Sequence, residues 1–235
     1  MGALLYSSVG HGGATVYLAI LTLAGFAVGK LTTTVLVLNI AAAAIGFAMF
    51  GAAGHLRWRL LLPFLATSVP MAYLGGRVPL SGRSQAVILG LALLAGALRL
   101  LFLRSLPTVR APRTGGPFYA IALAMGAALG FLAGATGIGG GIFLSPVLLM
   151  LGWASVKEAG NVAAAFIVLN SLAGLAAKLP RTPLDMGLLL PLGAVVVAGA
   201  VLGSFAGARK IPPRALQVLL GCVLLAASVK ALFGL

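Results

Sequence analysis

The stretch GATGIGGGIFLSP, residues 134–146, decides how this chain folds. It sits in a run of 43 residues, Thr114 to Val156, without an Asp, Glu, Lys or Arg. A single helix of that length would reach about 65 Å at about 1.5 Å per residue, roughly twice the hydrocarbon thickness of a bilayer. The run must therefore break, and Gly137, Gly139, Gly140 and Gly141 mark the place. The expectation is a helix at 118–135 and a short one at 141–153.

The rest of the chain has the same character. Of 235 residues, 61% are hydrophobic and 8% charged, with a mean hydropathy of +1.17. A soluble domain carries about 25% charged residues, so a water-facing surface is excluded. Further uncharged runs fill 1–29, 31–56, 60–76, 159–177 and 186–208. The fold class is an all-α polytopic membrane protein. A transmembrane barrel would alternate polar and apolar residues, and AVILGLALLAGAL (86–98) does not.

The net charge is +14, with Glu158 and Asp185 the only acids. The basic residues fall between apolar runs, where they meet lipid phosphates and set topology. Membrane lipids, not nucleic acid, are the expected partners, and oligomeric state is left open. The single cysteine, Cys222, excludes an intrachain disulfide and a cysteine metal cluster. No Walker A or HExxH motif occurs, so no cofactor and no metal are expected. With two acids and two histidines, a membrane enzyme is a poor reading. The opening MGALLYSSVGHGG lacks a basic n-region and is not read as a cleaved signal peptide.

The chain also repeats itself. GHGGATVYLAILTLAGFAVGK (10–30) lies without a gap over GIGGGIFLSPVLLMLGWASVK (137–157). Gly10, Gly12, Gly13 and Lys30 fall on Gly137, Gly139, Gly140 and Lys157, and Asn39 later falls on Asn170. Pro63 matches Pro191, Arg83 matches Arg214, and Arg99 matches Lys230. Two homologous transmembrane repeats are expected, 1–109 and 110–235, each of about four helical segments. Helices are expected at 31–54, 60–76 and 85–103, and at 159–177, 186–208 and 214–234. Each repeat carries its Gly-rich break at the membrane midplane. Whether a break is a kink in one span or a turn between two passes is open at this stage.

Broken backbone at membrane depth is tolerated where protein or a polar cavity covers it. Glycine reaches positive φ freely, and a Gly-rich turn opening a helix presents amides that attract anions. Gly10, Gly12, Gly13, Gly137, Gly139, Gly140 and Gly141 are therefore candidate anion contacts. So are the neighbouring Ser8, Thr136 and Ser145, and the matched mid-helix Asn39 and Asn170. The competing reading is helix packing through small residues, with the amides tying helices together. His11 sits inside the first break as an anion contact or a proton carrier; His55 is read as an interface residue. Lys30 and Lys157 are read as snorkelling to headgroups. Glu158 and Asp185 lie near span ends, which argues against a buried carboxylate relay.

The doubled break, best seen in GATGIGGGIFLSPVLLMLGW, resembles the sulfite exporter TauE/SafE family, also called the toluenesulfonate uptake permease family. The first copy, VGHGGATVYLAIL, departs from it with His11 for Ile138, Ala14 for Gly141 and Ala19 for Pro146. The resemblance implies a secondary carrier of small sulfur-containing anions, such as sulfite, organosulfonates or sulfoacetate, in the bacterial inner membrane. The alternatives are a transporter of another small anion and a structural or assembly protein without a substrate path.

Overall fold

The computed structural model describes residues 1–24, 26, 28–78 and 115–233, with 90, 91, 94, 97, 98, 101, 102 and 109 between. Among them there are helices and no strands. In chain order the helices are α1 (Gly2–Ser8), α2 (Ala14–Leu23), α3 (Val28–Ala52), α4 (Trp58–Arg77), α5 (Gly116–Thr136), α6 (Gly141–Met150), α7 (Val156–Lys178), α8 (Met186–Phe205) and α9 (Pro213–Phe233). A π-helical turn, Ala206–Lys210, extends α8. The helix expected at 85–103 lies largely outside the described residues, as does Arg83; the residues described within it are helical.

Among the described residues, four helical stretches are long and apolar enough to cross a membrane: Leu31–Ala52, Gly116–Thr136, Val156–Lys178 and Met186–Lys210. Of these, 67% of the α7 span is enclosed by protein against 22% of the α8 span, so α7 is the central helix and α8 faces outward. The protein is a multi-pass, all-α membrane protein.

Both acids start helices. Ser155 and Glu158 form a capping box at the start of α7, the Glu158 carboxylate accepting the Ser155 amide at 2.8 Å. Asp185 caps α8 by accepting the Leu188 amide at 3.1 Å.

Glycine lets helix pairs approach backbone to backbone. On α5, Gly126, Gly130 and Gly134 sit so close to the carbonyls of Phe64, Ser68 and Ala72 on α4 that a Cβ would collide with each. The order of these contacts makes α4 and α5 parallel. Likewise Gly203 and Gly207 of the outward helix lie against the carbonyls of Leu4 and Ser8, so α1 and α8 are parallel.

The central pair runs the other way. Asn39 of α3 bonds Ser171 of α7 while Asn161 of α7 bonds the Phe47 carbonyl of α3, so these helices cross antiparallel. The direction of the short helices then settles whether the breaks are kinks or turns. The α2 start is bonded to Asn39, midway along α3, and α3 begins at Val28, soon after α2 ends at Leu23; α2 therefore runs back along it. In the same way Gly141 meets the Ala163 carbonyl, Ser145 bonds the Ala159 carbonyl, and α7 begins at Val156, soon after α6 ends at Met150. Each break is a turn between an entering helix and a short returning one.

Candidate functional site

The two turns meet, and Asn39 joins them. Its Oδ1 accepts the Ala14 amide of the first turn at 3.1 Å. Its Nδ2 donates to the Ile138 carbonyl of the second turn at 3.4 Å and to Ser171 Oγ at 3.1 Å. Asn39 thus ties three segments together from a position that is 1% exposed.

Backbone shape at the turns follows from glycine. Gly10 and Gly13 have φ of 80° and 100°, and Gly137, Gly139 and Gly140 have φ of 71°, 82° and 73°. No side-chain-bearing residue among those described has a positive φ, and such values cost an L-residue about 1–2 kcal/mol. Among the described residues, no acceptor pairs with the amides of Gly12, Gly13, Gly139 or Gly140. Buried unpaired amides are uncommon in proteins, and four of them concentrate here at the meeting of two turns.

Between the turns lies a cavity of about 10 Å³, lined among others by Tyr6, His11, Gly12, Gly13, Asn39 and Ile138. That is about the room one water requires, so a larger occupant needs the turns to separate. His11 Nδ1 lies 3.0 Å from the Val9 carbonyl, and Nε2 is enclosed without a partner.

The other sequence candidates stand apart from this cavity. Ser8 Oγ donates to the Leu5 carbonyl at 2.7 Å and Thr136 Oγ1 to that of Leu132 at 2.7 Å, each within its own helix. Ser145 Oγ donates to the Ala159 carbonyl at 3.4 Å, fastening α6 to α7. Each hydroxyl has one proton, so none of the three is left to donate to an anion in this conformation. Asn170 bonds the Phe166 carbonyl of its own helix at 2.8 Å and does not reach Asn39. Gly10 packs on Gly160, Gly137 beside Thr32, and Gly140 between Ala133 and Phe166.

Several residues that line or brace the site did not stand out in the sequence. Ser171, next to Asn170, holds Asn39. Tyr17 Oη donates to the Gly12 carbonyl at 2.6 Å, and Thr15 Oγ1 to Tyr6 Oη at 3.2 Å. Their signal was a polar atom in an apolar helix close to a break. At one end of the bundle, Lys157 Nζ donates to the Ala208 carbonyl at 3.1 Å. At the other, Lys178 Nζ donates to the Ala135 carbonyl at 3.3 Å, just before the second turn.

A family model described as Sulfite exporter TauE/SafE matches residues 1–231. The chain belongs to the sulfite exporter TauE/SafE family. It is also 34% identical over 234 residues to the "Probable membrane transporter protein y4hK" of Sinorhizobium fredii (strain NBRC 101917 / NGR234), covering 98% of this chain and 94% of that protein. No solved structure matches the chain. As a TauE/SafE member it is a membrane transporter of a small-molecule substrate.

Proposed function

We propose that this TauE/SafE transporter is a secondary carrier of small sulfur-containing anions, such as sulfite, organosulfonates or sulfoacetate, in the bacterial inner membrane. The anion binds between the two Gly-rich turns, on the amides of Gly12, Gly13, Gly139 and Gly140. The observation that carries this reading is the pair of unpartnered amides, Gly12 and Gly13, on the cavity wall, with those of Gly139 and Gly140 following Ile138 in the facing turn. Donors fixed before binding favour negative charge without needing a counter-charge. No Lys or Arg lines the cavity, so no permanent cation holds the anion and it is free to leave again.

The cavity of about 10 Å³ fits a closed conformation. Opening it means parting the turns, and the bond from Asn39 to the Ile138 carbonyl, at 3.4 Å, is the longest of the three that hold them.

The reading includes two repeats, 1–109 and 110–235, of opposite orientation, with the turns near the bilayer midplane. Reciprocal packing supports it. Gly75 meets the Phe131 carbonyl, and Gly203 meets the Leu4 carbonyl. Gly75 and Gly203 each lie twelve residues after the matched prolines Pro63 and Pro191; Leu4 and Phe131 each lie six before the matched Gly10 and Gly137. The entering helix of each half, α1 or α5, thus packs on the helix that carries the matched proline in the other, α8 or α4.

The test is flux of sulfite, sulfoacetate, sulfate and chloride into proteoliposomes holding the purified chain. The expected result is saturable flux of a sulfur-containing anion that exceeds chloride. Absence of flux for every one of these anions in folded protein contradicts the reading.

A further inference from the structure

The His11 ring has a tautomer fixed by its neighbours. Nδ1 lies 3.0 Å from the Val9 carbonyl oxygen, which only accepts, so Nδ1 carries a hydrogen. In the neutral ring Nε2 is then a bare lone pair. It is enclosed, unpartnered, and part of a side chain 2% exposed on the wall of the cavity between the turns. A lone pair repels an anion. The same atom becomes a donor, and the ring a cation, once it takes a proton.

We infer that the anion crosses together with one proton, and that the proton rests on Nε2 of His11 while the anion is bound. This rests on the reading of the two turns as the substrate site. In the loading step an acid in the open cavity, hydronium or a protonated substrate, gives its proton to Nε2. The N–H bond forms, the O–H bond breaks, and its electron pair stays on oxygen; release reverses each change. The protonated ring then donates Nδ1–H to Val9 and Nε2–H to the anion. Moving an isolated anion into a dry cavity is strongly unfavourable; an imidazolium beside it cancels one unit of its charge and donates a hydrogen bond to it.

The surroundings leave that balance to the substrate. Tyr6 from α1, Thr15 from α2 and Asn39 from α3 line the cavity with the ring, and Tyr17 from α2 bonds the carbonyl of the adjacent Gly12. The later helices contribute Ile142, Ile167 and the backbone of Gly141. None of these is a charged side chain, and the two acids of the chain are held at helix starts. The tyrosines are the other titratable groups; Tyr17 is committed to the Gly12 carbonyl and Tyr6 accepts from Thr15.

The test uses the full chain in proteoliposomes with a trapped pH dye and radiolabelled sulfoacetate. Both acid groups of this probe are ionised across pH about 5.5–8, its carboxyl titrating near about 4, so the probe brings no proton itself. With the membrane potential clamped at zero, a gradient of about one pH unit, acid outside, should accumulate the anion about tenfold, since one unit equals about 1.36 kcal/mol. His11→Gln should lose that accumulation and the pH dependence of uptake and should weaken sulfoacetate counterflow, with residual counterflow at raised substrate showing that the path itself remains. His11→Asn, which keeps a donor for Val9, should behave alike; size-exclusion and thermal unfolding check that both fold. Wild-type uptake without proton movement would overturn the inference, and Nε2 would then hold a water only. A His11→Gln protein that still accumulates the anion along the pH gradient would overturn it too. Both results leave sulfoacetate transport itself intact. Lack of sulfoacetate counterflow in wild type, with sulfite and sulfate also inert, would instead remove the underlying site and the inference with it.

Discussion

Asn39 and Ser171 meet across the antiparallel helices α3 and α7, Nδ2 donating to Oγ at 3.1 Å. That contact turns the Asn39 amide so that Oδ1 accepts from the first turn and the same Nδ2 also donates to the second. Replacing Asn39 with Ala leaves the Ala14 amide and the Ile138 carbonyl without this partner, and each unsatisfied buried group costs about 1–3 kcal/mol. Asn39→Ala should lower the thermal unfolding temperature in detergent and reduce anion flux strongly. Asn170→Ala should lower stability far less, because its amide bonds a carbonyl of its own helix. Equal losses from the two changes would contradict Asn39's role as the joint.

Gly139 has no room for a methyl group. A Cβ there would lie 2.6 Å from Ser171 Oγ and 2.7 Å from Asn39 Nδ2, at φ +82°. Gly139→Ala should therefore destabilise the fold by at least about 1–2 kcal/mol from backbone strain alone. Gly116→Ala, with nothing within 4 Å, should be near neutral. Thermal unfolding of the two variants side by side checks the contrast. It also means that Val at Gly139 or Gly140 damages folding along with transport, so small shifts at the Asn39 joint probe the path more cleanly.

The parallel pair α4 and α5 depends on absent side chains. Gly130→Val places atoms where the Ser68 backbone lies and should cost about 1–3 kcal/mol or more through overpacking. Gly46→Ala should be tolerated, since its new methyl would meet Ser204 Oγ at 3.5 Å and Ala164 Cβ at 3.7 Å, ordinary contacts. Yield of monodisperse protein after purification distinguishes them.

Much of this was legible in the sequence because helix ends in a membrane protein are marked by charge and glycine. The expected helix at 60–76 is α4 at 58–77, and that at 159–177 is α7 at 156–178. The break at Gly137–Gly141 was legible because 43 uncharged residues cannot form one span. What could not be read was direction. Glycine permits a kink and a reversal alike, and only contacts such as Ala14 with Asn39 choose the reversal. Side-chain aim was equally hidden: Asn39 and Asn170 match in sequence, yet one crosses to both turns and the other bonds its own helix. Small hydroxyls near a break looked like ligands, but Thr136 and Ser8 satisfy carbonyls one turn back, a habit of such residues in helices.

Glu158 does two jobs of unequal weight. It completes the cap of α7 and pairs with Arg57 at 3.1 Å, the two side chains being 18% and 36% exposed. A cap contributes about 1 kcal/mol, while an ion pair open to solvent contributes about 0–1 kcal/mol. Glu158→Ala should thus lower stability more than Arg57→Ala, and added salt should narrow little of the gap. Equal effects that vanish in high salt would assign the weight to the ion pair instead.

The central claim is that the anion passes between the two turns, and locating an oxyanion there tests it most directly. Selenite, the heavier analogue of sulfite, can be placed by the anomalous scattering of selenium in crystals of a transport-active preparation. The account predicts selenium between the turns, with oxygens about 3 Å from the amides of Gly12 or Gly13 and of Gly139 or Gly140, and the cavity wider than about 10 Å³. Selenium bound only at the basic ends of the bundle, beside Lys178 or Lys157, in protein that carries sulfite normally, would contradict it.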